Sequence, residues 1–152
     1  MSFITTKSGA HRQVPQSFID ACGLLSGMEG IYDHASSIEN AVPLFIIADN
    51  VIDEVLLFEQ NVPYVQVLDI DDMPETINSF FAGKSARALV DIWRAADYLD
   101  YSFLDSAVSS YLANLIRYCE PSRVATLFEI DAVPDANELE SFLSRNPFLR
   151  EN

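Results

Sequence analysis

The chain has 152 residues, 49% of them hydrophobic, and a net charge of −14 from 9 Lys and Arg against 23 Asp and Glu. A body that acidic repels phosphate backbones and anionic bilayers, which excludes direct nucleic-acid binding and attachment to a membrane surface. The apolar fraction, with 10 Phe and 6 Tyr, suffices for the core of one domain, argues against disorder, and leaves apolar surface for a partner.

The opening residues predict a short hairpin. Residues 3–6 are β-branched and aromatic, Ser8-Gly9 breaks the run, and Gln13-Val14 returns before Pro15. Ser17 is placed to cap a helix through Leu25, which Gly23, Gly27 and Gly30 keep short. Residues 31–40 read as a loop. The apolar run 42–47 suits a strand, although Pro43 limits its pairing. Asp49 or Asn50 can cap a helix to Gln60, with Val51, Ile52, Val55, Leu56 and Phe58 as its stripe. Pro63, Pro74 and the acids Asp69, Asp71 and Asp72 then bracket residues 64–70, where Val65 and Val67 allow another strand.

The chain divides near residue 84, and from there it reads as helical throughout. Lys84 and Ser85 form a helix approach. Residues 86–98 are apolar nearly all round, through Leu89, Val90, Ile92, Trp93, Ala95 and Ala96, which predicts burial between layers. In residues 103–116 apolar pairs recur every fourth place: Phe103-Leu104, Ala107-Val108, Tyr111-Leu112 and Leu115-Ile116. Pro121 suits the first turn of another helix, with Val124, Leu127 and Phe128 inward. Asp135 and Glu138 resemble a capping box ahead of Leu139, Phe142 and Leu143, and Asn146-Pro147 stops that helix before Phe148 and Leu149.

Chemistry-bearing motifs are sparse. The two histidines, His11 and His34, lie in loop-like sequence, and neither HExxH nor GxSxG occurs. Gly83-Lys84-Ser85 ends like a phosphate-binding loop, but the glycine needed five positions earlier is Asn78. A calcium loop counted from Asp69 would place Pro74 where glycine is required and Phe80 where glutamate is required. The acidic run therefore reads as a solvated loop. Cys22 and Cys119 belong to no CxxC and read as small buried or half-buried thiols of a reducing compartment, with a disulfide as the alternative. No stretch approaches the 18 apolar residues of a membrane span, and the basic-then-apolar pattern of a signal peptide is not seen at the start. No cofactor, metal or catalytic role is expected.

The last two amphipathic helices are short, and helices of that length are marginal alone. Their stripes either complete the core or form a helix-binding groove.

The run Ala95-Ala96-Asp97-Tyr98-Leu99-Asp100, followed by Leu112-Ala113-Asn114-Leu115-Ile116, Pro121 and Phe128-Glu129-Ile130, resembles the S-phase-kinase-associated adaptor family of SCF ubiquitin ligases. Upstream, AVPLFIIADNVIDEVLLF is similar to that family's Val-Pro-Leu strand and following helix, and SFITTKSGAHRQV to its opening hairpin. Downstream, ELESFLSRNPFLREN is similar to its closing helix and aromatic tail. The resemblance spans nearly the whole chain and is most specific over residues 94–130.

It implies an α/β (α+β) fold: a BTB/POZ-type, cullin-docking domain over residues 1–116 and a C-terminal helical extension for F-box binding over 117–152. Elongin C, a relative, ends soon after the Tyr-Leu-Asp helix. The implied function is that of a non-catalytic adaptor, cytoplasmic and nuclear, which bridges a cullin to F-box substrate receptors. The cullin-facing pair of the family matches Asp97 and Tyr98. The F-box contacts match apolar faces carrying Leu112, Ile116, Val124, Phe128, Ile130, Leu139, Phe142, Leu143 and Phe148. Asp97 stands where the family usually has Asn, which adds negative charge. Phe148 stands for the usual Trp, Arg117-Tyr118-Cys119 replaces a glycine-containing link, and a Trp-Asp pair is missing around residues 73–81. These departures keep a second reading open: a structural or assembly subunit, or a self-associating BTB dimer, without cullin binding.

Overall fold

The computed structural model describes residues 2–28, 38–130 and 136–147. Among them are one small mixed sheet and eight α-helices, so the fold is mixed α/β and mainly helical. His34, Gly30, Asp135, Phe148 and Leu149 lie outside the described residues, as does most of the 31–40 loop; its last residues, Ile38–Asn40, form one 3-10 turn.

The hairpin forms as the sequence predicts. Strands β1 (Ser2–Thr5) and β2 (His11–Val14) pair antiparallel, with Ile4 opposite Arg12. Thr6 and Ala10 close the turn with a 2.9 Å backbone bond, and Gly9 supplies its positive φ of 84°. The third strand, β3 (Val42–Pro43), adds parallel to β1, giving the order β2-β1-β3. It is far shorter than the expected run 42–47. Pro43 has no amide to extend the ladder. After Leu44 donates to Thr5 O, the chain turns, with Ile47 N bonded to Leu44 O.

The helix expected from Ser17 to Leu25 is two helices, α1 (Gln16–Ala21) and α2 (Gly23–Met28). Pro15, not Ser17, takes the N-cap position, and its carbonyl accepts from Phe18 and Ile19. The break falls at extended Cys22, because the Gly23 amide leaves the helix to bond Asp100 O at 3.0 Å.

Helix α3 (Asp49–Asn61) buries Val51, Ile52, Val55 and Phe58, with Leu56 half-buried beside them. Neither Asp49 nor Asn50 caps it; Ala48 holds that position without a side-chain bond. Asp49 is in the first turn and reaches back to the hairpin, where it accepts from Ser8 N at 3.2 Å and Ser8 Oγ at 2.5 Å. The hydroxyl bond is the main reason the Asp49 carboxyl lies below its ordinary pKa. It ties the sheet to α3.

Residues 64–70 form no strand. Val62, Val65 and Leu68 are covered at a spacing of three, with Ile70 half-buried after them, while Tyr64 and Val67 face solvent. Strand alternation needs a spacing of two. The acidic loop is pinned instead to the end of a later helix: Asn114 Nδ2 donates to Ile70 O at 2.7 Å, and Arg117 pairs with Asp71. Helix α4 (Glu75–Phe81) follows, an element the sequence reading does not include. Ile77 and Phe81, one turn apart, are its buried anchors.

Helix α5 (Ala86–Leu99) starts at Ser85, whose Oγ accepts from Ala88 N. It is not buried all round. Ala86, Leu89, Ile92, Ala95, Ala96 and Leu99 face inward, Val90 is half-buried, and Trp93 stays 43% exposed with its indole N–H bonded to Asp105. A tryptophan with one polar partner can lie at a surface, which apolar counting misses. Helix α6 (Ser102–Ile116) packs on α5 and buries Phe103, Leu104, Ala107, Val108 and Leu112.

Aromatic rings concentrate the core. Phe58 lies within 6.2 Å, centroid to centroid, of Phe80, Phe81, Tyr101 and Phe103. Burying one such ring contributes about 2–3 kcal/mol. The chain divides into two compact units, residues 1–118 and 119–152. In the second, α7 (Pro121–Leu127) and α8 (Ala136–Arg145) are the described helices.

Two glycines of α2 separate close contact from conformational freedom. A Cβ on Gly23 would lie 2.1 Å from the Asp100 Oδ2 and 3.1 Å from its Cβ, whereas one on Gly27 meets nothing within 4 Å. Gly23→Ala is expected to destabilise by about 1–3 kcal/mol, and Gly27→Ala to stabilise by up to about 1 kcal/mol. Urea unfolding of the two variants reads both signs.

Candidate functional site

Two surfaces present apolar groups without enclosing them. The first is the C-terminal unit. None of its described residues is buried. Pro121 starts α7 at a position where its missing amide is harmless. Glu129, at φ 54°, ends it: Glu129 N donates to Thr126 O and Ile130 N to Ala125 O, a Schellman ending. That turn leaves Ile130 53% exposed, while Val124, Leu127 and Phe128 stay half-buried one helical turn apart. On α8, Leu139, Phe142 and Leu143 share one face; Leu139 and Phe142 are about half exposed and Leu143 is half-buried. Helices this short need a covered stripe to be stable. Covering the free halves of Ile130, Leu139 and Phe142 would contribute roughly 1 kcal/mol each.

The second surface is on the first unit, where the outer face of α5 meets the turn after β3. Ile46, Asn50, Asp91, Arg94 and Tyr98 line a shallow groove of about 370 Å³. The turn carries Phe45 at 58% and Ile46 at 71% exposure. Asp97 and Tyr98 are both exposed on the last turn of α5. A tight turn cannot bury two successive large side chains, so the tip remains apolar within an acidic protein.

The residues expected to contact an F-box do not form one set. Leu112 is a buried core residue on the inner face of α6, which removes it from any docking surface. The sequence shows only that 111, 112, 115 and 116 are apolar; the face is decided by packing. Ile116 is half-buried at the end of α6, within the first unit. Val124, Phe128, Ile130, Leu139, Phe142 and Leu143 belong to the second, and Phe148 lies outside the described residues. Phe45 and Ile46 were assigned to a strand on sequence; the signal that marks them is Pro43, which stops the pairing that would have enclosed them.

The titratable groups with resolved perturbations are structural. Burial, helped by the negative charges of Glu59 and Asp100, pushes the Cys22 thiol up to about 12. Burial and the hydrogen bond to Glu59 raise the Tyr101 phenol well above its usual range. Neither cysteine is in a disulfide, and Cys119 is half-buried. Among the described residues, no group of three or more His, Cys, Asp or Glu is placed to hold a metal, and no helix is long and apolar enough to cross a membrane. His11 is on β2, with Nδ1 3.1 Å from Thr5 Oγ1.

Compared with protein-family models and with curated proteins, the sequence matches none.

A thiol reagent at neutral pH is expected to modify Cys119 in the folded protein and Cys22 only after unfolding, because the thiolate is the nucleophile. Mass spectrometry after timed alkylation counts the labels. Leu112→Asp is expected to lose several kcal/mol through an unpaired buried carboxylate, while Phe142→Asp leaves the melting temperature of the first unit within about 1 °C. Calorimetry of both variants distinguishes a core position from a surface one.

Proposed function

We propose that this protein is a non-catalytic adaptor of an SCF-type ubiquitin ligase. In this reading the first unit, a BTB/POZ-type domain, docks on a cullin, and the C-terminal helices take an F-box segment. The observation that carries it is the C-terminal unit, whose described helices bury no residue, with half-exposed Leu139 and Phe142 in a row on α8 and half-exposed Ile130 just past α7. Such rows fit a helical partner laid against them. Large apolar anchors that become desolvated on binding are the usual source of affinity. The element order supports the reading as well: an opening hairpin, a short parallel strand, then helices ending in a separate two-helix unit. The resemblance over residues 94–130 supplies the family. The adaptor works in the cytoplasm and nucleus.

Asp97 favours a second reading, an assembly subunit or self-associating BTB dimer that does not bind a cullin. Its carboxylate is exposed at the proposed cullin face, where a neutral amide is usual in the family. Docking there must hydrate or pair that charge, and a partner offering an apolar or acidic patch does neither.

Affinity purification of the tagged protein, with mass spectrometry of what it retains, tests the proposal. The wild type is expected to retain F-box proteins and a cullin. Tyr98→Lys should lose the cullin alone, and Phe142→Asp the F-box proteins, each with an unchanged melting temperature. Loss of both partners in Tyr98→Lys defeats the two-surface arrangement. F-box or other helical partners without a cullin, in wild type and variant alike, establish the assembly-subunit reading instead.

A further inference from the structure

A cleft of about 580 Å³ lies at the carboxyl ends of α1 and α3 and the start of α6. That volume is in the range of small-ligand and side-chain pockets. All of its lining residues belong to the first unit, and Asp97 is not among them.

Its chemistry is aromatic and acidic. Tyr101 lines it as a buried side chain, and its hydroxyl donates to Glu59 Oε2. The raised phenol keeps that proton, so Tyr101 remains a donor and the glutamate stays oriented. One bond does not exhaust a carboxylate, which offers about four acceptor positions. Asp20 adds a second carboxylate at the rim; Gln16 holds its Oδ1 at 3.0 Å. One wall is the ring of Tyr64, 72% exposed yet held edge-on against Phe103 with centroids 5.1 Å apart. Among the described residues, no Lys, Arg or His lines the cleft. The end of α3, a 13-residue helix, also turns its negative pole here. Ser102, in the first turn of α6, brings the opposite pole, a place for a backbone carbonyl.

We propose that this cleft binds an arginine side chain presented by a basic segment of a partner protein. A guanidinium is planar, stacks on an aromatic face and spreads five donors across more than one carboxylate, so it uses Tyr64, Glu59 and Asp20 together. A lysine ammonium offers no plane to the ring, and an apolar side chain leaves both carboxylates unanswered. The α6 amides accommodate the carbonyl of the segment that carries the arginine. The net charge of −14 draws such a segment in and makes its association rate salt-dependent. The proposal does not depend on the adaptor reading.

The test is a ¹⁵N NMR titration of the full chain with the capped tripeptide acetyl-Gly-Arg-Gly-amide, beside its lysine and norleucine counterparts. The arginine peptide is expected to give saturable shifts clustered at Asp20, Glu59, Tyr64 and Ser102, with affinity of about millimolar order. The lysine peptide should bind more weakly and the norleucine peptide should not saturate. Asp20→Asn, at an exposed position, should weaken the arginine peptide by about fivefold without lowering the melting temperature. Tyr64→Ala should weaken it by a similar factor while also lowering the melting temperature by a few degrees, through loss of its edge contact to Phe103. Shifts scattered over the acidic surface, equal binding of norleucine, no saturation by arginine, or variants that bind as wild type would each overturn the proposal.

Discussion

The turn at Asp100 is the constraint on which the first unit depends. Asp100 takes up the left-handed region at φ 52°, Asp100 N bonds Asp97 O, and Tyr101 N bonds Ala96 O at 2.9 Å. That Schellman ending stops α5 and starts α6 with only Asp100 and Tyr101 between the helices. Three consequences follow from one backbone conformation. The α5–α6 pair is set, the Asp100 carbonyl is delivered to the Gly23 amide, and Tyr101 is turned under Glu59. The αL position is strained for a residue with a Cβ, though aspartate tolerates it better than most. The bond to Gly23 explains why the N-terminal helical segment is broken at Cys22, and a glycine is required there because Asp100 sits against it. Sequence-distant parts of the core are thus registered on one turn.

Around that turn the unit has enough apolar material to stand alone. Phe18, Phe58, Phe81, Leu89, Leu99 and Leu104 are all essentially inaccessible. The polar ties outside, such as Arg12–Asp53 at 3.3 Å, are largely exposed, and such pairs contribute under about 1 kcal/mol. The second unit has the opposite balance. Its helices are well ended, by Pro121, by the Glu129 turn and by Arg145 at the negative pole of α8, but their stripes are only partly covered. Good ends without a covered face describe a segment whose folding free energy is completed by whatever lies on it.

Much of this was legible in the residues and some was not, for physical reasons. The hairpin, α3 and α6 carry clean local signals: a turn glycine, and apolar stripes of the right period. The long irregular stretch before α4 misled because Val65 and Val67 have strand propensity, whereas the burial decision came from α6, through Asn114 and Arg117. Helix α4 was hidden by its brevity, although Ile77 and Phe81 have helical spacing. Trp93 counted as core by hydropathy; its outward place follows from an indole bond to Asp105, twelve residues away. The candidate surfaces divide along the same line. The α8 face is visible as Leu139, Phe142 and Leu143, because a helix with little else to touch shows its pattern plainly. Leu112 proves buried, a place the pattern does not decide, because apolar neighbours on both sides of α6 leave the inner face undetermined until α5 packs on it. The cleft at Glu59 and Tyr101 could not be read at all, since its walls come from three separate stretches of chain.

The charge distribution separates affinity from selection. With 23 acidic residues against 9 basic ones, most of the surface repels acidic partners at long range. The apolar tip at Phe45 and Ile46 and the row on α8 carry no charge, so binding energy there comes from desolvated area. Their surroundings decide which molecules arrive. At the α5 face, Arg94 and Asp91 line the groove and Asp97 lies on the same turn as Tyr98, so a successful partner must offer a hydrogen-bond donor beside an apolar contact. A purely apolar patch would leave Asp97 dehydrated and unpaired, and the area gained at Ile46 and Tyr98 would be offset by that one carboxylate. For a partner docked at this face, specificity would rest on Asp97 more than on the larger side chains around it.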